Sequence, residues 1–250
     1  MTAERVQVWT ERLRRAANAV RTPHGRSGLR RGVAPTVVPQ RTLRSLDPLV
    51  VIDVGANRGQ FALDVLTACP NASVISFEPL PSEADVFEAI LGGVPRVHLL
   101  RSAVSDRDGA AQMHVTAAAD SSSLHRPTDL QSSTFPGTHQ IDEQEVHVCS
   151  LDSVSWPLEI PERTLLKIDV QGHEFAVLRG AERLLGQIRW VYVEVPLVEL
   201  YEGQALAGEV FEQLHRHGYR PVDLSAPTRA NGRALQVDVW LDRLDDSVAV

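Results

Sequence analysis

The chain has 250 residues, 43% hydrophobic and 23% charged, enough for one sizeable domain with an appendage. No apolar run reaches membrane-spanning length and no signal-peptide core is expected, which excludes an integral membrane protein. Cys69 and Cys149 stand in neither metal nor redox spacing, so a disulfide scaffold is excluded and a reducing, cytoplasmic setting is expected.

The net charge of −7 is uneven. Residues 1–45 carry ten Arg against Glu4 and Glu11, a balance of +8, while the remainder carries 15 basic and 30 acidic residues. The acidic body argues against nucleic acid as a substrate, and the basic arm has three readings: binding nucleic acid, binding a membrane surface, or docking on its own body. Of the 25 basic residues 24 are Arg, with Lys167 alone; that bias reads as a coding preference rather than chemistry.

Val6, Trp9, Leu13, Ala16 and Val20 recur at helical spacing and predict an amphipathic first helix, whose roles include a homodimer contact. Thr22–Gly28 and Pro35–Pro39 read as linker, placing a boundary near residue 45: a basic arm over 1–45 and the main domain over 46–250.

Leu49–Val54 predicts a strand buried on both faces, breaking into Gly55-Ala-Asn-Arg-Gly59 and then into a helix from Gln60. Strand, glycine turn and helix is a layout in which backbone N–H groups face a polar ligand. A dinucleotide fingerprint would need glycine at the positions held by Asn57 and Gln60. With Asp53 two residues before Gly55 and Gly59 four after it, the stretch instead resembles the first motif of S-adenosylmethionine-dependent methyltransferases.

A second strand, Asn71–Phe77, ends in Glu78-Pro79, and Glu78 follows Asp53 by about the interval at which Rossmann-like folds place a carboxylate on a ribose diol. Capping of the helix that follows Pro81 is the other reading of Glu78. Val97–Leu100 is a third strand, and the small residues and Asp106 after it would edge an adenine ring or form a plain turn ending at Gly109. Ala111–Val115 and Glu145–Cys149 alternate as a small antiparallel addition, and residues 117–144 between them, aperiodic and polar, read as a cover loop or a disordered one.

Thr164–Ile168 is the next buried strand, running into Asp169-Val-Gln-Gly-His-Glu174 and a helix continuing to Ile188. Trp190–Val195 carries Glu194 near its end; Tyr219–Leu224 and Leu235–Leu241 close the chain, with Asn231-Gly232 marking an antiparallel return. The alternation predicts an α/β fold, a mostly parallel sheet with helices on both faces. Glu78, Asp169 and Glu194 then share the carboxyl-terminal edge with Gly55, where such sheets bind ligands.

The succession Ile52–Gly59, Phe77-Glu-Pro79, Ala103–Asp106, Ser122-Ser-Leu124, Leu151-Asp152, Lys167–Gly172 with Glu174, and Val193-Glu-Val195 resembles the FkbM-type methyltransferases over roughly residues 48–243. The resemblance implies a Rossmann-like class I methyltransferase fold, a seven-stranded sheet with its last strand antiparallel and a small β insertion. It implies S-adenosylmethionine as cofactor and O-methylation of a hydroxyl on a sugar or natural-product scaffold, the acceptor being a glycoside, glycolipid or polyketide. It assigns Asp53, Gly55, Ala56, Asn57, Gly59, Gln60, Glu78, Pro79, Ala103 and Val104 to the cofactor, and Ser122, Ser123, Gln171 and Glu194 to the acceptor. Asp169, His173 and Glu174 become the candidate catalytic groups, with Asp169 or His173 taking the hydroxyl proton. Gln171 stands where the family usually has Glu and Arg101 where it tends to have Asn. With that carboxylate absent no metal is expected. Two other readings stand beside this one: an NAD-dependent oxidoreductase on a similar sheet, and a non-catalytic binding module retaining the fold.

Overall fold

The computed structural model describes residue 20 and residues 22–35 and 40–244. The amphipathic helix expected over Val6–Val20 lies outside them but for its last residue. The expected linker at Pro35–Pro39 also lies outside them but for Pro35, whereas the stretch expected as linker at Thr22–Gly28 does not: Pro23–Arg30 (α1) is helical, started by the Thr22 hydroxyl accepting from Gly25 N and by Pro at the first position. Gln40–Leu46 (α2) is helical too, spans the expected boundary at 45 and buries Leu43 fully in the core.

Val50–Val54 (β1) is buried at every position. Ile52 and Val54 face one apolar cluster and Val51 the other, the alternation a pleated strand imposes when helices cover both faces of a sheet. Gln60–Ala68 (α3), Ser73–Phe77 (β2), Pro81–Leu91 (α4) and Val97–Leu100 (β3) follow as the sequence predicts. Ala103–Val104 (β4), Gly109–Thr116 (β5) and Gln140–Cys149 (β6) form a separate three-stranded sheet in the order β4-β6-β5, the expected β insertion. The connection between β5 and β6 is not bare loop: it holds a 3₁₀ turn at Ala119–Ser121 and a helix, Asp129–Thr134 (α5), capped by the Thr128 hydroxyl.

Thr164–Ile168 (β7) is followed by Glu174–Arg179 (α6) and Glu182–Leu185 (α7) rather than one helix. The break falls at Gly180, where a β-carbon would lie 2.0 Å from the Ser105 carbonyl oxygen, so the backbone there packs directly against the segment after β4. Trp190–Pro196 (β8), Ala207–Arg216 (α8), Tyr219–Leu224 (β9), Thr228–Ala230 (β10) and Arg233–Arg243 (β11) complete the fold. Asn231 and Gly232 at φ 49° and 78° make the turn between β10 and β11.

The main sheet runs β3-β2-β1-β7-β8-β11, with β9 and the short β10 both pairing β11. β1, β2, β3, β7 and β8 are mutually parallel, and β11 returns antiparallel to β8. Seven strands plus β10 therefore give the class I methyltransferase topology. The sheet order reverses between β1 and β7, which puts the turns after these two strands side by side, and a ligand crevice opens at that switch point. Among the described residues no helix is long and apolar enough to cross a membrane.

Candidate functional site

The turn after β1 is held from below. Lys167 Nζ lies 3.1 Å from Asp53 Oδ1, both side chains almost fully buried, and donates to the Gly55 carbonyl at 2.7 Å and the Val54 carbonyl at 3.3 Å. Burial pushes the Asp53 carboxyl up and the ammonium opposes it. The one lysine in the chain, read above as a coding accident, is the fastener of the glycine turn.

The turn's own N–H groups point inward. Gly55 N and Ala56 N both donate to the Phe77 carbonyl, at 3.1 and 2.9 Å, and Asn57 N donates to Glu78 Oε2 at 2.8 Å. Arg58 N donates to Asn57 Oδ1 and Gly59 N to the Ala56 carbonyl. All five donors from Gly55 to Gly59 are thus spent inside the protein, and the expectation that they face a ligand is corrected. A pyrophosphate would find no backbone cradle here.

What the edge offers instead is acceptors. The Glu78 carboxylate takes Asn57 N on one oxygen and Leu80 N, at 2.9 Å, on the other, which fixes its orientation and leaves further lone pairs. Burial pushes its pKa up to about 7. It borders a cavity of about 540 Å³ between the sheet edge and the β insertion.

Of the residues assigned to the cofactor, Gly55, Asn57, Glu78, Pro79, Ala103 and Val104 line this cavity. Asp53, Ala56, Gly59 and Gln60 do not; Asp53 lies beneath the turn, and Gly59 packs against Phe87 and Leu91. Leu124 and Ser102, whose segments the sequence singles out, line the cavity too, while Leu80 and Met113 in its apolar wall escaped the sequence reading. These residues come from the insertion and from helix entry points, and no motif spacing ties them to the turn. Arg101 is outside, paired with Asp85 and Glu88 on the surface.

The second half of the cavity is the loop after β7. Asp169, Gln171 and His173 line it. Glu174 does not: it is fully buried behind the loop, and its Oε1 accepts from Val170 N and Gly172 N, both at 3.1 Å. It staples the loop, and burial pushes its pKa up to about 7. Gln171, at φ 57°, spreads its amide over three neighbours. Its Nε2 donates to Asp169 Oδ1 at 2.8 Å and to Glu194 Oε2 at 3.3 Å, and the Tyr201 hydroxyl lies 2.9 Å from its Oε1. Glu194 is off the cavity, held by Gln171 and Gln236; burial and the Asp169 carboxylate push its pKa well up. Among the described residues no cluster of ligating side chains is suited to a metal.

The strap from Ala117 to Thr128 closes the cavity. Ser122 lines it, while Ser123 stands behind and donates to the Gln171 carbonyl at 2.6 Å. His125 meets His173 in a chain whose proton directions are fixed at one end. The Glu202 carbonyl, 2.9 Å from His125 Nδ1, only accepts, so that nitrogen carries the proton. His125 Nε2 then accepts from His173 Nδ1 at 3.0 Å, and His173 Nε2 accepts from the Ser105 hydroxyl at 3.0 Å. Burial lowers both imidazoles, His173 to about 4, so both are neutral near pH 7. Both His173 nitrogens are occupied.

The profile of the Methyltransferase FkbM domain matches residues 53–221. The chain is 29% identical over 205 residues to the 2-O-methyltransferase NoeI of Sinorhizobium fredii, covering 78% of this chain and 79% of that protein. It is 29% identical over 214 residues to the 31-O-demethyl-FK506 methyltransferase FkbM of Streptomyces tacrolimicus, covering 75% and 79%. Among solved structures, the methyltransferase FkbM of Methylobacillus flagellatus superposes with a TM-score of 0.46 at 11% identity, over 77% of this chain and 44% of that one.

Proposed function

The chain belongs to the FkbM methyltransferase family, and from that premise we propose that it moves a methyl group from S-adenosylmethionine to a hydroxyl of a sugar or natural-product scaffold. The observation that carries the cofactor half is the inversion at the glycine turn. Five backbone donors are already bonded within the protein while one carboxylate, Glu78, faces the cavity. That suits a nucleoside with a free ribose diol and no phosphate. It disfavours a nicotinamide dinucleotide.

Glu78 would accept from the ribose hydroxyls, and Leu80, Ala103, Val104 and Met113 would sandwich the base. When bound, S-adenosylmethionine supplies a methyl group already activated on a sulfonium. The protein's remaining tasks are to align the acceptor hydroxyl and to receive its proton.

Asp169 is the group for that proton. Gln171 fixes its Oδ1, and its Oδ2 takes no hydrogen bond from the described residues. His173, neutral and doubly bonded, serves as a fixed wall rather than a base. Of the two groups considered for the proton, Asp169 and His173, this reading takes Asp169.

Calorimetric titration with S-adenosylhomocysteine and with NAD, on wild type and Glu78→Ala, tests the cofactor half. Binding of the first alone, lost in the variant, is expected; binding of NAD alone would overturn it. Formation of S-adenosylhomocysteine from S-adenosylmethionine with hydroxylated acceptors, and not with amines of similar shape, tests the oxygen specificity.

A further inference from the structure

Behind His173 lies a second recess of about 770 Å³, open to solvent and separate from the cavity except at that imidazole. Its wall includes Phe175 in the first turn of α6. The chain has six phenylalanines; Phe61, Phe77, Phe87, Phe135 and Phe211 lie in or against an apolar cluster, and Phe175, half-buried, belongs to none. An aromatic face that the core does not use is available to a ligand.

The polar groups around it are unequal. Asp106 is paired with Arg179 at 3.4 Å, and the Glu209 carboxylate caps Leu206 N at 3.0 Å. The donors are free. Gln204 Oε1 accepts from Leu200 N and Tyr201 N, so its amide nitrogen is turned the other way and meets no acceptor among the described residues. Arg107 likewise forms no hydrogen bond or ion pair there. The recess therefore presents one apolar ring face beside unspent N–H donors, complementary to the C–H face and the oxygens of a sugar ring.

We propose that this recess is the acceptor subsite and that it takes a pyranose glycoside, its ring on Phe175 and its oxygens accepting from Gln204 and Arg107. The assignment rests on the methyl-transfer reading above. It gives the acceptor a place of its own beside the nucleoside cavity, with His173 lining both.

The test uses the full chain saturated with S-adenosylhomocysteine and probes it with methyl glycosides of glucose, galactose, rhamnose and glucuronic acid by saturation-transfer NMR. Phe175→Ala removes the platform, and Ala205→Trp fills the recess from another wall. At least one glycoside should bind wild type, about tenfold more weakly in Phe175→Ala. It should not bind Ala205→Trp. S-adenosylhomocysteine affinity should stay within about twofold in both variants. Glycoside affinity unchanged in both variants, or binding by no glycoside, overturns the proposal. Failure of the wild type to bind S-adenosylhomocysteine instead removes the methyl-transfer reading, and the subsite with it.

Discussion

Gly55 and Asp169 pack so closely that a β-carbon on the glycine would lie 1.9 Å from the aspartate's carbonyl oxygen. This contact joins the turn after β1 to the loop after β7. Because it is backbone against backbone, no rotamer change relieves it. Gly55 also sits at φ 78°, which costs an L-residue roughly 1–2 kcal/mol. Gly55→Ala should lower the melting temperature and abolish S-adenosylhomocysteine binding. Gly59, at φ 89°, carries similar backbone strain, but there the nearest atoms to an added β-carbon are side-chain carbons of Leu91 and Phe87 rather than backbone, so Gly59→Ala should do less. Equal affinity in wild type and Gly55→Ala would show that the two loops move independently.

The Asp53–Lys167 pair predicts a stability cycle. Lys167→Met leaves a carboxylate buried beneath the turn without its cation, a defect that costs about 3–5 kcal/mol. Adding Asp53→Leu removes the stranded charge, so the double variant should recover most of that loss in urea denaturation. The turn carbonyls of Val54 and Gly55 still lose their donor, so cofactor affinity should not recover with stability. A double variant as unstable as the single one would mean the pair does not act as a unit.

Glu78 predicts how binding depends on pH. Its pKa is pushed up to about 7, so the carboxyl is protonated below that value and loses acceptor strength toward two ribose hydroxyls. S-adenosylhomocysteine affinity should fall about tenfold per pH unit below pH 7 and level off above it. Glu78→Gln should bind weakly with a flat profile. If wild type and Glu78→Gln keep the same slope between pH 5.5 and 8, another group sets it.

Glu174 predicts a stability change of defined sign. Its folded pKa of about 7 exceeds the unfolded value near 4.5. The stability it contributes is fully present below pH 4.5 and is lost as pH rises through 7. Glutamine keeps an oxygen for Val170 N and Gly172 N without the charge. Glu174→Gln should match wild type at pH 4.5 and exceed it at pH 8, by on the order of 3 kcal/mol at most. Wild type gaining on the variant as pH rises would reverse this sign.

The parallel core was legible because each strand is a short run rich in apolar residues, and most end at an acid or a glycine, a local signal. Glu78 and Asp169 were legible for the same reason, each directly following a strand end, and Asn57 lies in the glycine turn after β1. Asp53 and Glu174 were read as contact residues because spacing gives position along the chain but not which way a side chain turns. One faces beneath the turn, the other behind its loop. The directions of the turn N–H groups depend on Phe77 and Glu78, more than twenty residues later. His125 and Tyr201 reach Asp169's loop from the strap and from the chain after β8, long-range contacts with no periodic mark. A lysine alone in a buried strand was a usable signal that composition hid.

Asp169 and His173 make opposite predictions although they line the same cavity. Asp169→Asn keeps an oxygen to accept from Gln171 and so preserves the loop, but it cannot take a proton. Turnover should fall about 10²–10⁴-fold with S-adenosylhomocysteine affinity within about twofold. His173→Gln removes an imidazole whose nitrogens are both spent on Ser105 and His125, so its loss should be smaller and should come with a less stable strap. The strap also hangs on Ser123 to Gln171 and on the Tyr201 hydroxyl near the Ser121 carbonyl, which limits the damage. Turnover measured from pH 5 to 9 separates the two roles. A variant at 173 with the larger loss, beside an active Asp169→Asn, would transfer the proton-accepting role to the imidazole.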